Sequence, residues 1–166
     1  IAKWADATLQ LIYVADTTMD SVTVVGHDVV DALEEHGRTV LGEATGRLDA
    51  LSIDYKTDVV QGNPAPTIVE YASRYAQDLI VMPTHGRTGL SRYLLGSITE
   101  KVVRLSSVPV LTTRLAPDEQ LVFPYENVLL PTDGSEGAMA ATRHGLALAE
   151  NLGASAHVLS VVKDDS

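Results

Sequence analysis

The sequence predicts a doubly wound α/β fold built on a mostly parallel, five-stranded sheet. Short apolar runs alternate along the chain with longer segments whose apolar residues recur at helical spacing. The apolar runs are continuous, which is typical of strands buried on both faces. Strands that alternate with helices favour a parallel sheet with right-handed crossovers and helices on both faces. In such folds ligands bind beyond the carboxyl ends of the strands.

The individual elements follow from the length and period of each apolar segment. The predicted strands are residues 7–14, 54–60, 78–83, 108–112, 127–131 and 155–162. The predicted helices are residues 25–50, 64 to about 77, 97–105 and 135–152. Pro64 suits a first helical turn, and Ser97 with Glu100 matches a capping box. The helix that begins at residue 64 is predicted to face inward with Ile68, Val69, Ala72 and Tyr75. The helix 97–105 is predicted to face inward with Ile98, Val102 and Leu105.

The end of the chain repeats its beginning. An ungapped alignment at an offset of 147 residues, from Val14 to Val161, gives three identical and three similar pairs. The identical pairs are Ala2/Ala149, Ala7/Ala154 and Val14/Val161, and the similar pairs are Ile1/Leu148, Leu11/Val158 and Ile12/Leu159. The sequence therefore predicts a tandem repeat that is truncated at both ends.

The repeat divides the chain into three parts. Residues 1–115 are predicted to form a domain that lacks its first strand and most of its first helix. Residues 116–126 hold two prolines and no periodicity, so they are predicted to be a linker. Residues 127–166 begin a second copy with a strand, a helix and a strand. Three alternatives stay open for residues 127–152: they complete the first domain by permutation, exchange with another chain, or belong to a truncated second domain.

Composition limits the possible partners. The formal charge of −10 disfavours binding to nucleic acid or to an anionic membrane, because neutralising phosphates requires clustered Lys and Arg. No apolar run is long enough to span a membrane, and no secretory signal opens the chain. The absence of cysteine fits a reducing cytoplasm, and the excess of acidic residues resembles that of salt-adapted, halophilic proteins. We therefore expect a soluble cytoplasmic protein.

The sequence offers no catalytic or metal-binding constellation. The five histidines show no metal-ligand spacing, and no serine stands in a Gly-x-Ser-x-Gly turn. No pair of acid and base can be assigned to catalysis. We predict no catalytic residues and no metal site, and hence a binding protein rather than an enzyme.

The segment after the third predicted strand can cradle a phosphate. Residues 84–89 leave that strand directly, and Gly96 with Ser97 opens the next helix. A helix N-terminus presents unpaired N–H groups and the positive end of a dipole, and glycines let a phosphate approach the backbone. His85 and Arg87 add positive charge. The alternative is that Gly86 and Gly96 only form turns and that Ser97 only caps the helix.

Three stretches resemble the universal stress protein family. Residues 83–111 (PTHGRTGLSRYLLGSITEKVVRLSSVPVL) carry the family spacing of a glycine, nine residues and Gly-Ser at Gly86, Gly96 and Ser97. Pro83 stands where the family has another glycine. Residues 128–141 (VLLPTDGSEGAMAA) resemble the family's first strand and helix, and residues 62–72 (GNPAPTIVEYA) the start of its third helix. The resemblance implies a Rossmann-like fold of the adenine-nucleotide alpha-hydrolase type.

The resemblance also implies a ligand, which is ATP or a related adenine nucleotide accompanied by Mg²⁺, bound as a regulator in a stress response. Adenine and ribose would be held by Asp133 and by either Val14 or Val161, and phosphates by Gly86, Gly96, Ser97 and Ile98. The full set of expected binding residues is Val14, Met82, Pro83, His85, Gly86, Arg87, Gly89, Gly96, Ser97, Ile98, Pro131 and Asp133. Proline has no N–H and a fixed φ, so the sequence leaves open whether Pro83 abolishes binding.

Two further functions stay open beside nucleotide regulation. The first is a nucleotide-free module that dimerises through the last strand and the apolar linker residues 121–123. The second is a slow ATPase, although the sequence shows no evident base that could activate water for hydrolysis. We expect a homodimer.

Overall fold

The structure is a computed structural model that describes residues 2–18, 27–84, 96–113 and 123–161. The chain divides into two units: Ala2–Pro117, and Asp118–Ser166 together with Ile1. The boundary between the units falls within the predicted linker.

The first unit contains eight described elements. They are α1 (Ala2–Ala5), β1 (Leu9–Ala15), α2 (His27–Ala50), β2 (Tyr55–Gln61), α3 (Pro64–Arg74), β3 (Ile80–Pro83), α4 (Ser97–Leu105) and β4 (Val110–Thr113). The second unit contains β5 (Asn127–Pro131), α5 (Glu136–Leu152) and β6 (Ser155–Leu159). The predicted strands and helices are therefore all present, with ends that differ by up to three residues.

All strand pairing in the described residues is parallel, as the sequence predicts. The strands form three separate pairs, β1–β2, β3–β4 and β5–β6. In this part of the chain they do not join into the single five-stranded sheet that the sequence predicts. Among its described residues the first unit thus holds two half-sheets of two strands each, β1–β2 and β3–β4.

The core of the first unit lies between two helices and β3. Buried Ala65 and Ala72 of α3 pack with Ile80 of β3 and with Val102 of α4, which is fully buried. Met82 and other partly buried apolar side chains surround this cluster. Since α3 also contacts β1, one helix lies against both half-sheets.

The inward face of α4 differs from the predicted face. Val102 is buried as predicted, but Ile98 and Leu105 are 43% and 52% exposed, and Thr99 is buried instead. Thr99 can be buried because its hydroxyl donates a hydrogen bond to the Pro83 carbonyl, at 2.8 Å. The prediction was wrong because it ranked positions by apolarity, whereas the hydroxyl bond decides which side of the helix faces β3.

The inward face of α3 differs in the same way. Tyr75 is 54% exposed, and Tyr71 is buried in its place. The Tyr71 hydroxyl donates a hydrogen bond to the carboxylate of Asp58 on β2. Burial, followed by this bond, raises the pKa of Tyr71 above its ordinary value. A tyrosine that bridges α3 to β2 therefore takes the position expected for an apolar contact.

The helix α3 ends at Arg74, three residues before its predicted end. Ala76 adopts a left-handed φ of 48°, which no helical residue has. The Gln77 N–H then donates to the Ala72 carbonyl at 2.9 Å, which satisfies a terminal carbonyl of the helix. At the other end Pro64 occupies the first turn as predicted, but Asn63 makes no side-chain capping bond.

The helix α5 packs on β5 within the second unit. Ser135 is its N-cap, and the Ser135 hydroxyl accepts a hydrogen bond from the Ala138 N–H at 3.2 Å. Gly153 ends the helix with a left-handed φ of 66°. Leu130 of β5 is buried, and its side chain lies where any side chain at Gly145 would stand. The small residue lets the helix approach the strand.

Gly37 has the same role between α2 and β1. A Cβ at this position would lie 2.5 Å from the Cδ1 of Tyr13, closer than packed carbon atoms approach. Glycine has a low helix propensity, yet α2 continues through both Gly37 and Gly46. Close packing on Tyr13 therefore accounts for the glycine at position 37.

We expect Gly37→Ala to lower the free energy of unfolding by about 1–3 kcal/mol, because the added methyl group must displace the Tyr13 ring. Gly42→Ala is the matched control. A Cβ at Gly42 meets nothing within 4 Å, so this change should stabilise α2 by about 0.5–1 kcal/mol. Urea unfolding followed by circular dichroism measures both. Equal effects of the two substitutions would contradict the packing role of Gly37.

Candidate functional site

Two hydrogen bonds join the end of β3 to the start of α4. The Gly96 N–H donates to the Thr84 carbonyl at 2.5 Å. The Thr99 hydroxyl donates to the Pro83 carbonyl. The carboxyl end of β3 and the N-terminus of α4 therefore lie next to each other. Anions bind at such junctions because both the helix dipole and the terminal N–H groups favour negative charge.

The helix α4 begins with Gly96 as its N-cap. The Gly96 carbonyl accepts from the Glu100 N–H at 2.9 Å, so Ser97 is the first residue inside the helix. The predicted capping box, in which Ser97 caps and Glu100 reciprocates, is therefore wrong by one position. Helix geometry leaves the N–H groups of Ser97, Ile98 and Thr99 without an acceptor inside the helix.

The backbone angles of Gly96 do not require a glycine. Its φ of −58° and ψ of 140° are open to any residue. Ser, Asp and Asn stabilise the N-cap position more than glycine does. A glycine here therefore forgoes the capping bond that a Ser, Asp or Asn side chain would make.

Pro83 loses no bond to the neighbouring strand. The Ile80 N–H donates to the carbonyl of Pro109, the residue before β4, at 2.9 Å, and the Thr84 N–H donates to the Thr113 carbonyl at 3.0 Å. The even-numbered positions of β3 therefore face β4. Because backbone direction alternates along a strand, the nitrogen of Pro83 lies on the opposite edge. Proline is tolerated at such an edge. The Pro83 carbonyl remains the anchor for Thr99.

The other expected binding residues of the first unit have different surroundings. Met82 is half-buried and packs against the core cluster, so its side chain supports β3. Val14 lies one residue before the end of β1, half-buried and paired with Val60 of β2. Ile98 is partly exposed in the first turn of α4. His85, Gly86, Arg87 and Gly89 lie outside the described residues.

Pro131 and Asp133 belong to the second unit, where Pro131 ends β5. The Asp133 carboxylate accepts a hydrogen bond from the Ser135 N–H at 2.9 Å in the turn before α5. Hydrogen bonds from the Ser135 side chain and N–H hold the pKa of Asp133 below its ordinary value. Asp133 therefore stays ionised and shapes this turn, while Ser135 caps the helix.

The described part of the chain contains no group of three or more side chains that could hold a metal ion. None of its helices combines the length and the apolarity that crossing a membrane requires.

Sequence reasoning missed Thr84 and Thr99, the residues that close the junction with Pro83 and Gly96. Thr99 stands three residues after the N-cap, where it reads as one more surface position of the helix. One signal in the sequence could have identified Thr99. It is a polar residue that interrupts the inward face of the amphipathic helix α4, close to the end of β3.

We expect Thr99→Val to lower the free energy of unfolding by about 1–3 kcal/mol, because it keeps the shape but leaves the Pro83 carbonyl without its donor. Thr39→Val is the control, since the Thr39 side chain is exposed and its hydroxyl donates to a carbonyl of its own helix α2, that of Glu35. Chemical unfolding compares the two, and the control should change stability by less than about 0.5 kcal/mol. A similar small change for Thr99→Val would contradict the anchoring role.

Comparisons with known proteins give a consistent result. A model described as the universal stress protein family matches residues 1–114 and 124–166. A universal stress protein of Methanocaldococcus jannaschii is 36% identical over 117 residues, which cover 69% of each protein. The stress response protein NhaX of Bacillus subtilis is 32% identical over 81 residues, which cover 49% of each. The chain thus spans about half of NhaX.

Solved structures show the same likeness. UspA, a universal stress protein of Lactobacillus plantarum, is 27% identical, with a TM-score of 0.60 over 68% of this chain and 81% of that one. A universal stress protein of Archaeoglobus fulgidus is similar over 96% of this chain and 57% of its own length, with a TM-score of 0.75. At 22% identity the latter shows the fold alone.

Proposed function

The chain belongs to the universal stress protein family, and we propose that it binds ATP or a related adenine nucleotide as a regulatory ligand. The Rossmann-like α/β fold and the family membership are the premise. The observation that carries the proposal is Gly96, an N-cap without a side chain whose backbone angles do not call for glycine. A phosphate placed there meets the N–H groups of Ser97 and Ile98 and the positive end of the α4 dipole.

The junction is suited to hold phosphate in one position. The bonds from Gly96 to Thr84 and from Thr99 to Pro83 fix the helix start against β3, so little ordering is needed when a ligand arrives. The Ser97 side chain is exposed in the first turn and can donate its hydroxyl to a phosphate oxygen. With a net charge of −10, the protein holds an anion through these local donors rather than through its overall charge.

The remaining expected residues enter the proposal through the resemblance. His85, Gly86, Arg87 and Gly89 would complete the phosphate cradle, and Val14 would contact adenine or ribose. Asp133 and Pro131 lie in the second unit, and their contribution is a prediction from the family motif alone. Mg²⁺ would arrive with the nucleotide. The proposed role is regulation by occupancy, which is what the family resemblance implies.

We expect the purified protein to release adenine nucleotide when it is denatured, and Mg-ATP to raise its Tm. Gly96→Val should weaken Mg-ATP binding at least about tenfold, since the new side chain fills the space beside the first N–H groups while its backbone angles remain allowed. Isothermal titration calorimetry measures the affinity.

Gly46→Val is the control, because a Cβ at Gly46 meets nothing within 4 Å. It should leave the affinity unchanged. Absence of released nucleotide together with no thermal shift from Mg-ATP would overturn the proposal and favour the nucleotide-free module. Titration with AMP, ADP and GTP then distinguishes the base and the phosphate number that the site prefers.

A further inference from the structure

The helix α2 is joined to β2 at both ends of the strand. At the first residue of β2, the Tyr55 hydroxyl donates a hydrogen bond to the Asp49 carboxylate at 2.9 Å. At the last residue, the Gln61 side-chain amide donates to the Glu34 carboxylate at 2.6 Å. These two bonds hold the helix alongside the strand.

A cleft of about 510 Å³ lies between α2 and β2. On the helix it is lined by Arg38, Leu41, Gly42 and Thr45, which occupy the i, i+3, i+4 and i+7 positions of one helix face. A Cβ at Gly42 would meet nothing within 4 Å, so this glycine leaves open space inside the cleft. The volume falls in the range of small-molecule sites, about 300–1,000 Å³.

The strand β2 lines the other side of the cleft. Tyr55, Thr57 and Val59 are alternate residues of the strand, so their side chains lie on one face of it. Leu41 is buried and Val59 is half-buried, whereas Thr57 is exposed. The lining therefore combines apolar surface from Leu41 and Val59 with the hydroxyl groups of Thr45, Tyr55 and Thr57.

The charged groups of the lining, Arg38 and Asp58, already have partners. The Arg38 guanidinium is paired with two carboxylates of its own helix, at 3.0 and 3.2 Å. The Asp58 carboxylate accepts a hydrogen bond from the Tyr71 hydroxyl. Neither charge is therefore left to attract an ionic ligand. The bond to Asp49, followed by desolvation, raises the pKa of Tyr55, so the Tyr55 hydroxyl stays protonated and its oxygen can accept a further bond.

We propose that the cleft between α2 and β2 binds a neutral monosaccharide. Sugar hydroxyls both donate and accept hydrogen bonds, as do the threonine and tyrosine hydroxyls of the lining. The C–H groups of a sugar ring are apolar and suit the surface of Leu41 and Val59. A neutral ligand also avoids the cost of desolvating a charge that would find no free counter-charge. The cleft is formed by other elements than the proposed phosphate site, so the two proposals are independent.

Amide NMR with D-glucose as the probe tests the proposal. We expect the amide resonances of Gly42, Thr45 and Thr57 to shift together and saturate. Local, saturable shifts are the required readout, because sugars also stabilise proteins without binding, through exclusion from the surface. Glucuronate and glucosamine add a negative or a positive charge to the same ring and should bind more weakly. Shifts that do not saturate, or tighter binding of either charged sugar, would overturn the proposal.

Three variants locate the site, with circular dichroism to establish that each is folded. Gly42→Leu fills the cleft and should weaken glucose binding at least about tenfold. Gly46→Leu is the matched control and should leave the affinity unchanged, because a Cβ at Gly46 also meets nothing within 4 Å but lies outside the cleft lining. Thr57→Val keeps the shape, removes one hydroxyl and should weaken binding about two- to tenfold.

Glucose binding that survives both Gly42→Leu and Thr57→Val, or that Gly46→Leu abolishes, would contradict the proposed site. None of these measurements requires nucleotide, so their outcome is separate from that of nucleotide binding.

Discussion

The hydrogen bond from the Thr99 hydroxyl to the Pro83 carbonyl determines how the first unit arranges its central elements. It buries a polar residue on the inward face of α4 and thereby sets which side of the helix faces β3. With that side fixed, Val102 meets Ile80 and the two alanines of α3, and Ile98 stays partly exposed in the first turn. The same bond holds the helix N-terminus against the strand end, so core packing and the proposed phosphate site share one constraint.

Much of the fold could be predicted from the sequence. Continuous apolar runs identified the strands, since a strand covered on both faces needs no alternation, and the parallel pairing followed from the alternation of strands with helices. The family resemblance identified the same fold and placed Gly96 and Ser97 at a helix start. Pairing into separate half-sheets could not be predicted. The pattern within a strand indicates whether that strand is buried, but it does not indicate which other strand pairs with it.

The two wrong helix faces share a cause. Tyr71 rather than Tyr75, and Thr99 rather than Ile98, turn inward because a hydroxyl finds a partner at Asp58 or at Pro83. These partners are distant in sequence, and periodicity gives polar residues no inward preference. The capping box failed by one residue because Ser97 and Glu100 fit the motif, whereas the Gly96 carbonyl accepts the bond that defines the helix start. At the candidate site, the sequence located the junction between β3 and α4. It did not identify Thr84 and Thr99, whose hydrogen bonds hold the two elements together.

The internal repeat relates the two units. It aligns β1 with β6, and each of these strands belongs to a parallel pair, β1 with β2 and β6 with β5. Universal stress proteins similar to this chain extend beyond the length that it matches.

The central claim is that the first turn of α4 receives the nucleotide phosphates. Amide NMR during a Mg-ATP titration tests it most directly. The account predicts that the amide resonances of Ser97, Ile98 and Thr99 shift together and saturate, while those of Ala65 and Thr67 in the first turn of α3 do not. Saturable shifts confined to other segments, or no shifts at all, would contradict it.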